Sequence, residues 1–193
     1  MNVHSMSDRV LAFERKFNAP RDVVFSLWTH PRHLIRWYGP RGHSLTVCEQ
    51  DFREGGSWRI CMDRGGEEVW IWGTYHQIIA PEKLVFSSSM HFHRYETLVT
   101  IHFGDLGDGT TLMRFRQGEF GNLQDCADHS WGWDSALDCL MDYMLRLRDT
   151  GNLRADVFDA NRRDGLSEDF AEAAARAKAE RERGDVFVPP SIT

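Results

Sequence analysis

The stretch "NLQDCADHSWGWDSALDCLMDYMLRLR", Asn122 to Arg148, decides the fold class, because the hydrophobic period changes here. Trp133, Leu137, Leu140, Met144 and Leu147 recur at spacings of four and three, while Asp134, Asp138 and Asp142 mark the wet side. That pattern predicts one long amphipathic helix. Upstream, the period is mostly two. "LAFERKF", Leu11 to Phe17, alternates apolar and polar residues and reads as a strand that ends at Asn18-Ala19-Pro20. Pro20 suits the first turn of a short helix carrying Val24, Phe25 and Trp28 on one side, with Asp22 near its positive end. Pro31 opens a second short helix whose apolar contacts are Leu34, Ile35 and Trp37, closed by Gly39-Pro40.

Six strand-like runs then follow, separated by turn chemistry: "HSLTVCEQDF", "SWRICMD", "EVWIWGTYHQII", "LVFSSSM", "ETLVTIHF" and "TTLMRFRQ". Pro81-Glu82-Lys83 and the Asp105 to Thr110 segment, with its Asp-Gly pair, supply two of the turns. The order of strand, two short helices, six strands and one long helix predicts an α+β fold whose antiparallel sheet wraps the long helix.

The 193 residues suit a single domain with an appendage. Seven Trp and twelve Phe call for a core or cavity with broad flat walls, since aromatic side chains bury about 150–250 Å² each. A net charge of -6 argues against nucleic acid and acidic membranes as partners. No long apolar run is present, and "MNVHSMSDRVLAF" lacks a basic start, so neither a transmembrane helix nor a signal peptide is expected and the cytoplasm is the expected location. Cys48, Cys61, Cys126 and Cys139 show no CxxC spacing and read as reduced structural thiols. A hairpin turn at Arg53 to Gly56 would set Cys48 opposite Cys61 across two strands.

Gly151 ends the long helix, and residues 151–193 form a charged, alanine-rich extension rather than an independent domain. Ser167 is placed to cap a further helix from Glu168 to Arg183, with Gly184 beyond. That helix is expected to lie against its own domain or a second subunit, as in a homodimer, or to cover the pocket as a lid.

The series "FNAPRDVVFSLWTHPRHLIRWYGP", "DFREGGSWRICM", "GTYHQIIAPEKLVFS", "TLVTIHFGDLGDGTTLMRFRQGEF" and "GWDSALDCLMDYM" resembles the bacterial family similar to the activator of heat-shock protein 90 ATPase. That family sits in the START-like (SRPBCC) helix-grip superfamily, beside the birch-pollen allergen and polyketide cyclases. The resemblance runs from Leu11 to Arg148 and implies, for residues 1–150, a curved seven-stranded antiparallel sheet gripping the long helix, with an apolar cavity between them. The eukaryotic activator engages its chaperone through a separate N-terminal domain. This chain opens almost directly on its first strand, so a chaperone-activator role is not expected.

Trp37 and Trp58 are expected near the cavity mouth, either touching a ligand or plugging the core. Further wall candidates are Trp72, Tyr75, Phe86 and Phe115 from the sheet, and Trp133, Leu137 and Met141 from the long helix. Trp72 and Tyr75 face the same way only if a bulge intervenes, which Gly73 would permit. Gly39-Pro40 and Gly55-Gly56 read as turns. His91 with His93, and His30 with His33, share a face, but no third ligand has recognisable spacing, so no metal or other cofactor is expected. His76, His102 and Glu96 are the candidate acid/base groups if the cavity hosts chemistry. No GxSxG motif occurs, and Ser87-Ser88-Ser89 has no evident partner arrangement. The first reading is therefore a binder of a small, mainly apolar molecule. The second is a cyclase- or hydrolase-type enzyme in the same cavity, and the third an interaction or dimerisation module.

Overall fold

The computed structural model describes residues 5–7, 9–155 and 163–164. Strand β1 (Ser5–Ser7) and strand β2 (Val10–Phe17) precede the short helices α1 (Arg21–Thr29) and α2 (Pro31–Trp37). Six strands follow: β3 (Ser44–Asp51), β4 (Ser57–Arg64), β5 (Glu67–Ile79), β6 (Lys83–Met90), β7 (Glu96–Asp105) and β8 (Thr111–Gly118). The long helix α3 (Leu123–Asp149) and the two-residue strand β9 (Arg163–Asp164) complete the described elements. Seven long antiparallel strands, β2 to β8, make one sheet in the order β2-β8-β7-β6-β5-β4-β3, with β1 and β9 added at its edges. This is the helix-grip α+β fold.

The short edge strands have no counterpart in the sequence reading. β9 lies in the extension expected to be helical and pairs Gln50 with Asp164 and Asp51 with Arg163. The helix expected from Glu168 to Arg183 lies outside the described residues.

Helix α3 begins and ends on local chemistry. Asn122 Oδ1 accepts from the Asp125 amide at 2.8 Å and Asn122 Nδ2 donates to Asp125 Oδ2 at 3.0 Å, a reciprocal cap like a capping box. At the other end Gly151, at φ 70, donates to Arg148 O, and Asn152 N reaches back to Leu147 O, the two bonds of a Schellman ending. Between them Cys126, Trp133, Ala136, Leu137, Leu140 and Met144 are buried against the sheet face that carries Phe13, Phe115, Ile101 and Phe103. Arg15, on the same sheet face, reaches Asp138 of the helix at 2.5 Å.

Two expectations are corrected by the packing. Ile35 is exposed rather than buried, because a helix of seven residues turns only its Leu34 and Trp37 edge to the core. Cys48 pairs with Ile60, and Cys61 with Val47, so the cysteines do not face each other. The β3–β4 turn is one residue longer than expected, and a one-residue change of register moves a side chain to the opposite face. Cys48 thus packs on the helix side, while Cys61 joins Trp70 and Trp72 on the other. All four cysteines are free thiols.

Candidate functional site

The deep interior is filled by its own aromatics. Trp28, from the wholly buried stretch Val23 to Thr29 of α1, stacks on Trp133 at 5.7 Å and meets Trp37 edge-on at 4.7 Å. Phe115 stacks on Phe13 at 4.6 Å and lies 4.8 Å from Trp133. Trp37 is 2% exposed and donates from Nε1 to Leu27 O at 2.9 Å, so its indole is packed in the core and is not among the residues lining the large cavity nearer the start of α3. Trp58, Tyr75 and Phe86 line a gap of only about 30 Å³. Tyr75 is fixed there by donating to Gln50 Oε1 at 2.8 Å, and Gln50 in turn donates to Thr29 O. Leu137 is fully buried and Met141 packs against the same core.

Trp72 is on the opposite face of the sheet from α3, with Cys61 and Trp70. The reason is alternation. No bulge separates Trp72 from Tyr75, since the β5–β6 register shifts only between Tyr75 and Gln77, so residues three apart point in opposite directions.

Open space is found further along the helix, toward its N-terminus. A cavity of about 420 Å³ lies among α3, the α2–β3 connection, the β6–β7 connection and the inner faces of β4, β5, β6 and β8. Of the expected wall residues, Trp133 lines it. Tyr38, Phe92 and Trp131 complete an aromatic surround, with Phe92 56% and Trp131 62% exposed at the rim. Met62, Met90 and Ile71 form apolar floor, and methionine adapts readily to irregular shapes. Gly132 keeps the helix side open: a Cβ there would find only Pro40 Cγ, at 3.9 Å.

The polar groups of this cavity divide into wall and reader. Gln117 is wall. Its Oε1 accepts from Trp133 Nε1 at 2.7 Å and its Nε2 donates to Thr97 Oγ1 at 2.9 Å, which donates onward to Ser88 O. That chain ties helix α3 to three strands. His93 and His129 sit side by side with ring centres 5.5 Å apart. His93 stacks on Tyr95 and places Nε2 3.7 Å from Asp125 Oδ2, while Tyr95 donates to the same oxygen at 2.5 Å. Burial first, and the Asp125 carboxylate second, push the Tyr95 phenol up, so it remains a donor. Asp125 therefore joins the start of α3 to the β6–β7 connection. Gly121 leaves room for this, since a Cβ there would lie 2.5 Å from the Tyr95 ring. Burial holds the His129 imidazole below its ordinary value, and burial pushes the Tyr38 phenol up.

The three acid/base candidates are all outside the cavity. His76 and His102 are exposed, because their neighbours Tyr75 and Ile101 face inward. His102 pairs across the sheet with Lys83 and Arg114; desolvation and then these two charges lower its proton affinity. Glu96 is exposed and accepts from Ser89 Oγ at 3.3 Å. Among the described residues no group of three or more metal-ligating side chains converges. His91 uses Nδ1 to accept from the Trp70 amide at 3.0 Å, and His33 Nδ1 lies 2.8 Å from Tyr143 OH. Among the described residues, no helix is long and apolar enough to cross a membrane.

Sequence reasoning missed Phe92, Trp131 and His129, and considered His93 only as a metal ligand. The signal was present in "SWGWD", where Gly132 between two tryptophans opens the wall of a helix otherwise lined with bulky groups.

Solved structures share this fold. A protein from Rhodobacter sphaeroides is 21% identical, covering 75% of this chain and 99% of its own, with a TM-score of 0.66. The AHSA1 protein from Silicibacter pomeroyi is 22% identical, covering 71% and 98%, with a TM-score of 0.65. A Chromobacterium violaceum protein is 20% identical, covering 69% and 96%, with a TM-score of 0.64. At these identities the likeness speaks for the fold alone. No curated protein matches the chain significantly. The model of the Activator of Hsp90 ATPase homolog 1-like protein family matches residues 18–144, which run from α1 through most of α3 and include every residue lining the cavity, and the chain belongs to that family.

Proposed function

We propose that this protein binds a small, mainly apolar or amphipathic molecule in the cavity beside the N-terminal half of α3. The observation that carries this reading is the cavity itself. Its volume, about 420 Å³, falls in the range of small-molecule sites, about 300–1,000 Å³, and its surround is aromatic and methionine-rich with few polar groups. The helix-grip fold commonly hosts apolar ligands, which agrees with this placement. The cyclase or hydrolase alternative loses His76, His102 and Glu96, which face away from the cavity.

Native mass spectrometry of freshly purified protein, compared with the denatured mass of the same sample, tests the reading. An excess mass of small-molecule size, lost on denaturation, is the expected result. A bare mass, together with tryptophan emission unchanged by a panel of apolar ligands, overturns it.

A further inference from the structure

The cavity is chemically one-sided. Among the described residues that line it there is no lysine or arginine, and its carboxylate is Asp128 at the rim, which accepts from Gln124 Nε2 at 2.9 Å. A second carboxylate, Asp125, lies behind His93. An anionic head group would therefore enter against carboxylates, with no cationic side chain to receive it.

His129 shows what head group fits instead. Its Nδ1 lies 2.8 Å from the carbonyl oxygen of Asp125. A carbonyl only accepts, so Nδ1 carries the proton and the neutral ring presents its lone pair at Nε2. Burial favours that neutral form, with Asp125, Asp128 and His93 as the nearby titratable groups. The ring is held between Phe120, at 4.7 Å, and His93. No described residue donates to Nε2. An acceptor fixed on the wall of a mostly apolar cavity, with no donor of its own among the described residues, is complemented by a ligand that brings a donor to it.

We propose that the cavity takes an uncharged or cationic amphiphile carrying a hydrogen-bond donor, a hydroxyl or an amine, that the donor is received by His129 Nε2, and that the matching carboxylate is rejected. This rests on the cavity-binding reading above and narrows it to a ligand class. His129 is the specificity-determining side chain, and the aromatic surround takes the apolar body.

The test uses a matched octyl series on the full chain at neutral pH: 1-octanol, octylamine, octanoate and methyl octyl ether, with affinities from calorimetry. Octanol is expected to bind at least about tenfold more tightly than octanoate, and about tenfold more tightly than the ether, which has no donor. Octylamine distinguishes the two donors: tighter binding than octanol assigns a cationic head, weaker binding a hydroxyl. His129→Phe is expected to bring octanol down to the affinity of the ether while leaving the ether unchanged. His129→Gln, which restores an acceptor oxygen, should recover part of the preference. If His129→Phe does not fold, the wild-type comparison of alcohol, ether and carboxylate still decides. Octanoate binding as tightly as octanol, or His129→Phe weakening alcohol and ether alike, overturns this inference and leaves the cavity reading standing. Failure of every member to bind overturns both.

Discussion

His33 should make the protein sensitive to mild acid. Its side chain is 5% exposed on α2, beside Tyr143 of α3, and its pKa is lowered from 6.5 to about 4, by burial first and by the Arg32 charge second. The unfolded chain thus binds a proton on this residue at a pH where the folded chain does not. Between pH 6.5 and about 4 the unfolded state holds more protons, so stability falls as pH falls through that window. The full difference corresponds to about 3 kcal/mol, of which about 2 kcal/mol is lost between pH 7 and pH 5. Urea unfolding of wild type and His33→Gln at both pH values measures it. The variant starts less stable, having lost the contact with Tyr143, but its pH dependence should be shallower by about 2 kcal/mol. Other histidines with lowered values, His91, His102 and His129, act in both proteins and cancel in the difference. Parallel curves for the two proteins, within about 0.5 kcal/mol, would refute the account.

Gly73→Ala should cost at least about 3 kcal/mol, read as a thermal midpoint lower by roughly 10 °C, because the new Cβ would lie 1.8 Å from Ser87 O and 2.9 Å from Trp58 Nε1. Gly132→Ala should go the other way, gaining up to about 1 kcal/mol of helix propensity where nothing obstructs the methyl group; a loss comparable to that of Gly73→Ala would contradict the packing. Asn122→Ala should cost about 1 kcal/mol in a denaturant titration through loss of the α3 cap. Trp131→Ala should weaken octanol binding about tenfold while Trp72→Ala leaves it unchanged, since only Trp131 lines the cavity; equal effects would mean that the outer face communicates with the site.

The fold was legible because it rests on period. The α3 stripe from Trp133 to Met144 and the alternation in Leu11 to Phe17 each appear in the structure within a residue or two of the expected bounds. Turn chemistry was legible for the same local reason: Gly151 closes α3 as its sequence position suggests. Edge strand β9 was not, because two residues pairing with Gln50 and Asp51 carry no pattern of their own. The candidate site was less legible. Trp37, Trp58, Tyr75, Phe86 and Phe115 are inward-facing aromatics as expected, yet whether an inward aromatic lines space or fills it depends on what comes from the opposite side, which no single segment encodes. His76 and His102 failed differently, since alternation assigns them outward once Tyr75 and Ile101 are known to face in.

The position of the cavity follows from how these aromatics are distributed. Helices α1 and α2 send Trp28 and Trp37 into the middle of the grip, where Trp133, Phe103 and Phe115 meet them, so the central space is occupied by protein. Toward the N-terminus of α3 two of the positions that line the cavity carry little or no side chain, Ala136 and Gly132, beside the larger Trp133 and His129. Nothing from α1 or α2 reaches there except Tyr38, just past the end of α2. The sheet opposite offers Ser88 and two methionines in place of the rings that Phe86 and Phe115 present deeper in. Small residues on the helix side and a hydroxyl and thioethers on the sheet side together leave volume at one end of the grip. The hydrogen bonds from Trp133 through Gln117 and Thr97 to Ser88 hold that end open at a fixed width. A ligand bound there contacts α3, β6 and the Phe92 connection together. Its binding should therefore stabilise the cap at Asn122 and Asp125, so that amide exchange at the start of α3 slows on addition of octanol while exchange around Trp28 stays unchanged.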